Sequence, residues 1–285
     1  MTNELKIIEC PRDAMQGMKE FVPTDLKAAY INKLLKCGFD TIDFGSFVSP
    51  KAIPQMRDTA EVLEQLDVSG KTKLLAIVAN ERGAEDALQF GEISYLGYPF
   101  SVSEEFQRRN TNASIEESLG RVEAIQKSVV AKGKELVVYL SMGFGNPYGE
   151  SWNPEIVLRW SEVLANKLGI KILAFSDTIG CAKEEDVRML FPVLQKELPS
   201  VEFGAHMHTR LETTLSLIQA AYEAGCRRFD GALKGFGGCP MAKDDLTGNL
   251  PTERLLEWLD ENKIAHAIQK EAFNEAFSFS SRIFS

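Results

Sequence analysis

Lys171-Ile172-Leu173-Ala174-Phe175-Ser176-Asp177, an amphipathic run over 183–197, and Glu202-Phe203-Gly204-Ala205-His206-Met207-His208 make one strand–helix–strand unit. A short apolar run, a longer stretch of helical period and a second short run is the pattern of two parallel strands joined by a crossover helix. The alternation recurs on both sides of this unit. Further strands are predicted over 5–10, 41–45, 73–79, 92–98, 136–142 and 228–233, and helices over 24–37, 50–66, 81–90, 114–131, 153–169, 211–225 and 252–262. Eight units in 285 residues is about 36 residues each, the size of a βα repeat that closes into a (β/α)8 TIM barrel. End signals agree: Ser114 with Glu117 is a capping box, Asn153 caps before Pro154, and Gly38, Gly169 and Gly225 stand where helices should stop. No linker or composition shift divides the chain. We expect one α/β domain over 1–285, with the barrel over about 5–262 and a helical C-terminal extension over 263–285. An open doubly wound sheet is the alternative, but Cys10-Pro11-Arg12-Asp13 stands where its phosphate-binding glycine motif should follow the first strand.

Lys and Arg number 32 against 41 Asp and Glu, a net charge of −9, which argues against nucleic acid or an anionic membrane as partner. No apolar stretch of about 18 residues is present and the N-terminus lacks a targeting pattern, so the expectation is a cytoplasmic chain. Five cysteines, an odd number, do not suggest a disulfide framework. Of only three histidines, two are His206 and His208.

In a barrel the site lies at the C-terminal ends of the strands, where loops converge. Strand 1 is expected to end in Arg12-Asp13, strand 2 carries Asp43, strand 6 ends in Ser176-Asp177-Thr178 and strand 7 in His206-Met207-His208. Gly235-Phe236-Gly237-Gly238-Cys239-Pro240 follows strand 8, with Asn249 beyond it. Strand alternation puts His206 and His208 on one face, and with Asp13 they make a two-His, one-carboxylate set suited to a divalent metal with open positions (Mg, Mn, Fe, Zn or Co). The plainer reading is two hydrogen-bonded surface histidines. Cys239, among glycines, reads as a proton donor or acceptor on a mobile loop, or as a small buried turn residue. Arg12 suits a carboxylate or enolate, or a salt bridge to Asp43 or Asp177. Those two aspartates are each open to three roles: orienting metal-bound water, acting as base, or holding Arg12. Cys10, Cys37, Cys181 and Cys226 have no metal-like spacing and read as packing, and His266 reads as structural. Arg108-Arg109 reads as a solvated charge pair, the alternative being a contact with a phosphorylated tail.

Taken in order, Cys10–Gln16, Ser46–Pro50 with Pro54–Met56, Asn112–Ser118, Ser176–Gly180, His206–His208, Gly237–Pro240 and Gly248–Leu250 resemble the hydroxymethylglutaryl-CoA lyase family over 6 to about 260. The resemblance implies a metal-dependent barrel that splits 3-hydroxy-3-methylglutaryl-CoA into acetyl-CoA and acetoacetate. It implies Asp13, His206, His208 and Asn249 as metal ligands, Arg12 as catalytic arginine, Cys239 as catalytic cysteine, Asp177 as active-site aspartate and Lys19 as a residue facing the CoA tail. Asp43 and His206 join the catalytic candidates; Arg12, Gln16, Lys19, Ser46, Tyr139 and Thr178 are the substrate-binding ones. Mg or Mn is the expected metal, an acyl-CoA the expected partner and a homodimer the expected assembly.

Departures from the family pattern stand beside this. Thr209 replaces the usual Asp after the H-x-H, so the carboxylate that would orient a ligand is expected to be missing. Asp43 replaces Glu, Phe44-Gly45 replaces small or hydroxylated residues, and Asn146 stands where many members have Cys; these changes are expected at the mouth of the site. They motivate a second reading, a related retro-aldol or retro-Claisen lyase or aldolase for another 3-hydroxyacyl-CoA or hydroxy-oxo acid. A non-catalytic metal- or CoA-binding barrel is the third. Condensing synthases rank lower, because Gly-Gly-Cys-Pro stands where their Gly-Glu-Arg-x-Gly-Asn segment would be.

Overall fold

A computed structural model describes residues 4–238 and 247–284. Eight parallel strands follow in sequence order: β1 (Lys6–Glu9), β2 (Thr41–Ser46), β3 (Lys73–Ile77), β4 (Ile93–Ser101), β5 (Glu135–Ser141), β6 (Ile172–Asp177), β7 (Glu202–Thr209) and β8 (Arg228–Gly231). Each pairs with the next, and β8 pairs back onto β1, so the sheet closes into a TIM barrel. Closure leaves no strand edge open, which is why these near-continuous apolar runs need no charged guard residues.

Helices fill the crossovers: α1 (Pro11–Gln16), α2 (Thr24–Leu35), α3 (Thr59–Leu63), α4 (Glu81–Ala87), α5 (Glu104–Thr111), α6 (Ile115–Ala131), α7 (Pro154–Glu162), α8 (Glu184–Glu197), α9 (Leu211–Glu223), α10 (Thr252–Glu261) and, in the C-terminal extension, α11 (Lys270–Ser280). The capping box at Ser114 is formed in both directions and Asn153 accepts from the Ile156 amide. Gly38, Gly169 and Gly225 all take positive φ at their helix ends.

Some boundaries differ from expectation. The single helix over 50–66 is instead a 3-10 turn at Pro54–Met56 followed by the short α3, because Pro54 cannot donate to a helix already begun. The helix over 153–169 passes into a π turn at Val163–Lys167. Arg12 and Asp13 do not end β1; they lie on α1, which Pro11 starts at its first position. α5 was not expected. Ser103 caps it, and Arg108 and Arg109 pair one turn back with Glu104 and Glu105, which accounts for them as the solvated pairs expected.

One large apolar cluster fills the space between strands and helices. A second, Leu75, Ile77, Tyr95, Val137, Tyr139, Ile172 and Ala174, comes from alternate positions on β3 to β6 and fills that side of the barrel interior. Registers carry this inward face around the barrel: Ala174 pairs with Gly204, Ser176 with His206, and His206 with Asp230. The interior is therefore apolar toward β3–β6 and polar toward β7, β8 and the start of the chain.

The C-terminal extension packs along α2, where Phe279 and Phe284 meet the Tyr30 ring, and its first turn is tied in through main chain. The Gln269 amide donates to the Cys37 carbonyl at 2.7 Å, and a β-carbon on Gly38 (φ +88°) would meet the Ala267 carbonyl oxygen at 2.4 Å. Gly38→Ala combines a left-handed backbone with a clash against main chain, and it should destabilise the protein by about 1–3 kcal/mol, read as a lower melting temperature. An unchanged melting temperature would show that the extension gives way freely.

Candidate active site

The short helix after β1 is what brings Arg12 and Asp13 over the barrel. Both are buried. Arg12 donates Nε–H to Asp43 on β2 at 3.2 and 3.1 Å, one Nη2–H to Asp43 Oδ2, and its two Nη1–H to Asp13 Oδ1 (2.7 Å) and Gln16 Oε1 (2.9 Å). That accounts for four of the five guanidinium hydrogens and leaves the second Nη2–H for a ligand. Of the two aspartates suggested for Arg12, Asp43 is the partner and Asp177 is not. Burial pulls the Arg12 pKa down, but the charges of Asp43 and Asp13 more than offset it, and the guanidinium stays ionised. Burial pushes the Asp43 carboxyl up to about 6 against the pull of Arg12.

Asp13 accepts from Arg12 and Gln16 at Oδ1 and from Asn249 Nδ2 at Oδ2, each at 2.7 Å. Burial raises its pKa, yet Arg12, His206, His208 and Asn249 together bring it below the usual range. A two-residue strand, β9 (Gly248–Asn249), runs antiparallel to β7 and pairs His208 with Asn249. This strand was not expected, and it is what sets Asn249 beside Asp13.

His206 and His208 are buried rather than surface residues. His206 Nδ1 stands 3.2 Å from Asp230 Oδ2, and His208 Nδ1 stands 3.1 Å from the Thr178 carbonyl oxygen. The Thr178 carbonyl only accepts, so His208 Nδ1 carries the proton and its Nε2 keeps its lone pair. His208 Nε2 lies 4.0 Å from Asp13 Oδ2, and one ligand atom each from Asp13, His206 and His208 falls within 4.8 Å of the others. Burial, with His206 beside it, lowers His208 to about 4, so it is neutral at physiological pH. Burial also lowers His206, but the Asp230 hydrogen bond and the charges of Asp230 and Asp13 carry its pKa above the ordinary value. An ionised carboxylate and imidazole lone pairs facing one point fit a divalent cation.

Arg12, Asp13, Gln16, Tyr139, Thr178, His206 and His208 line one cavity of about 140 Å³, closed on its other side by Ile53, Ile77 and Phe106. Larger hollows of about 810 and 590 Å³ open at the opposite end of the barrel, around the first residues of the strands, and lack such a convergence.

A family model described as HMGL-like matches residues 5–279. The chain belongs to the HMGL-like family. It is 33% identical over 278 residues to the cytoplasmic 3-hydroxy-3-methylglutaryl-CoA lyase of Rattus norvegicus, covering 96% of this chain and 80% of that one. It is 34% identical over 261 residues to the hydroxymethylglutaryl-CoA lyase YngG of Bacillus subtilis, covering 92% and 86%. The crystal structure of the Bacillus subtilis HMG-CoA lyase superimposes with a TM-score of 0.92 at 32% identity, over 100% of this chain and 95% of that one. The Acinetobacter baumannii HMG-CoA lyase, solved with coenzyme A and 3-methylmalate, gives 0.91 at 30% identity, over 100% and 93%.

The structure of this HMGL-like chain gathers Arg12, Asp13, Gln16, Asp43 and Asn249 into one hydrogen-bonded group, with His206, His208, Tyr139 and Thr178 lining the cavity that Arg12, Asp13 and Gln16 also line. It does not bring Lys19 or Ser46 there. Lys19 is exposed, and the Ser46 hydroxyl donates to the Ile77 carbonyl and accepts from the Val48 amide. Asp177 accepts from the amides of Cys181 and Ala182, at 2.9 and 2.8 Å, and so holds the loop after β6. Cys239 lies outside the described residues. His266 bonds Asp260 and the Ile268 amide, as a structural residue does.

Of the departures from the family pattern, Asp43 is in the site with Arg12, whereas Thr209, Phe44 and Gly45 face away from it. Thr209 Oγ1 pairs with Thr214 Oγ1 at 2.8 Å, toward α9. Phe44 joins the outer core, and a β-carbon on Gly45 would strike the Thr59 side chain at 2.4 Å, so α3 packing requires that glycine. Position 209 offers no carboxylate, but Asp230 on β8 places one 3.2 Å from His206 Nδ1. Cys10, read as packing, has its sulfur within reach of His206 and Asp230. Asp230 went unnoticed, although a strand reading Arg228-Phe229-Asp230 puts two charges at alternate positions of a buried element, and burial of unlike charges in that spacing is a signal of pairing.

Proposed function

We propose that this chain is a divalent-cation-dependent carbon–carbon lyase that converts 3-hydroxy-3-methylglutaryl-CoA to acetyl-CoA and acetoacetate. The observation that carries the reading is that Asp13, His206 and His208 turn their ligand atoms together on the cavity that also receives the Arg12 guanidinium. That cavity is below the ~300 Å³ at which whole drug-sized molecules are held. It suits the short branched acyl end of the substrate, with the CoA tail outside.

Asp13, His206, His208 and Asn249 would hold the cation, and Mg or Mn is the assignment. When bound, the cation supplies Lewis acidity that lowers the pKa of the C3 hydroxyl and fixes its direction. With the Nε2 lone pairs of both histidines given to the cation and Asp13 held below the usual carboxylate range, Asp43, whose carboxyl burial pushes up to about 6, is assigned the hydroxyl proton. As the C2–C3 bond breaks, its electrons leave with C2 and the negative charge moves to the thioester oxygen, where the remaining Arg12 Nη2–H is placed to meet it. Cys239 is assigned to return a proton to C2. In support, Gly237 (φ +96°) packs so closely that a β-carbon would lie 2.6 Å from Asn249 Nδ2 and 2.8 Å from the Asp13 carbonyl oxygen, which carries the chain leading to Cys239 over this group. A homodimer in the cytoplasm belongs to the same reading. No helix among the described residues is long and apolar enough to cross a membrane.

The test is release of acetyl-CoA and acetoacetate by metal-free protein given Mg or Mn, against a panel of other 3-hydroxyacyl thioesters. Faster turnover of another member of the panel would move the substrate assignment. Cation affinity should rise with pH: His206 has a raised pKa, so below it a proton competes for the ring, and Mn affinity should fall about tenfold per pH unit there. A pH-independent affinity would remove His206 from the cation's surroundings.

A further inference from the structure

We propose that Asp230 is a positioning residue, which holds His206 in the Nδ1–H tautomer and so keeps its Nε2 turned to the cavity. The proposal rests on the cation-site reading above and concerns a residue that reading does not use.

Three facts place Asp230 behind the histidine. It sits opposite His206 in the β7–β8 register, so both side chains project into the barrel. Its Oδ2 is 3.2 Å from His206 Nδ1. It is fully enclosed, and as a carboxylate it can only accept, which leaves the neutral ring one tautomer compatible with the contact.

Buried polar and aromatic side chains surround this pair. Arg228, two residues earlier on the same inward face, is buried and reaches Glu202 with one Nη1–H at 3.2 Å; its Nε and Nη2 have no partner, nor does Asp230 Oδ1. Another buried polar atom without a partner, the Tyr139 hydroxyl, belongs to the ring that packs edge-on against His206 at 5.3 Å. Room for these side chains comes from two glycines. A β-carbon on Gly204 would meet Arg228 Cδ at 2.9 Å, and one on Gly97 would lie 3.1 Å from the Tyr139 ring. Glu202, Arg228 and Asp230 thus run from the floor of the barrel to the cavity as acidic and basic side chains in alternation, ending at the His206 imidazole.

Partners behind a ligating histidine typically change metal affinity 10–100-fold when removed. With Mn as probe and the full chain, Asp230→Ala should weaken binding by that factor, and Asp230→Asn should recover most of the loss, because its side-chain oxygen still accepts from Nδ1–H. The tautomer is read independently by nitrogen NMR on the metal-free wild-type chain at alkaline pH, where three histidines give a resolvable spectrum. His206 protonated on Nδ1 supports the proposal even if Asp230→Ala fails to fold; His206 protonated on Nε2 overturns it. Wild-type and Asp230→Ala chains that bind Mn equally overturn it as well, while a wild-type chain that binds no Mn overturns the cation reading and leaves the tautomer to decide this one. A third outcome against it is a bound Cd with a thiolate absorption band that Cys10→Ser abolishes, since Asp230 would then be a ligand with Cys10.

Discussion

Arg12→Lys is expected to lower turnover by about 10²–10³-fold, the range seen when one preorganised donor to a developing oxyanion is lost, with cation affinity little changed. The charge survives but the fork does not. Arg12 spans Asp43, Asp13 and Gln16 at once and still has one N–H to spare, whereas an ammonium has three donors on a flexible stem and cannot meet all of these and a ligand together. A lysine variant retaining wild-type turnover would show that charge alone suffices there. Arg12→Met asks a harder question of the fold. It leaves Asp43 enclosed without its counter-charge, and removal of one partner of a buried pair costs about 3–5 kcal/mol. The pH dependence has a definite sign. Asp43 already titrates near 6 in the folded protein, above its ordinary 3.8, so the folded state binds the proton more tightly. Stability from that group is present below 3.8 and lost as pH rises through the folded value. Without Arg12 the folded value moves higher, and the methionine variant should melt at a higher temperature at pH 5 than at pH 8.

How Arg12 reached this position was only half legible in the sequence. The barrel itself was readable because eight apolar runs and their helices alternate at nearly constant length, and because caps such as Ser114–Glu117 are local chemistry. The H-x-H face was readable for the same reason: strand alternation is a local rule. Local rules do not tell which distant side chains meet. Asp43 and Asp177 stood on equal terms as partners of Arg12, and only closure of the barrel, with α1 folded over β2, separates them. Asp230 shows the limit from the other side. Its neighbour in space, His206, is 24 residues away, and the sequence-local place to seek an orienting carboxylate, position 209, holds a threonine that faces a helix. β9 is too short to show a pattern of its own, yet it decides where Asn249 lies.

Asp13→Asn should abolish measurable cation binding and turnover together, weakening Mn by more than the roughly 100-fold upper limit seen for groups that only support a ligand. The change is nearly isosteric, so the argument is one of hydrogen-bond polarity. Oδ1 accepts from Arg12 and Gln16, and Oδ2 accepts from Asn249 while standing 4.0 Å from His208 Nε2. Every neighbour presents a donor or would share a cation, and an amide can offer an acceptor on one side only. Whichever way the asparagine turns, an N–H faces an N–H, and the anionic corner of the site is gone. Stability should fall too, with a pH signature opposite to that of Asp43. Asp13 titrates below its ordinary value, so its contribution is present above 3.8 and lost as pH drops through the folded value. The asparagine variant should therefore be less stable than wild type at neutral pH, with the gap closing in acid. Electron paramagnetic resonance of Mn and melting curves at two pH values read both effects. A variant that binds Mn as wild type does, with the same melting profile, would place the cation elsewhere and detach Asp13 from the chemistry.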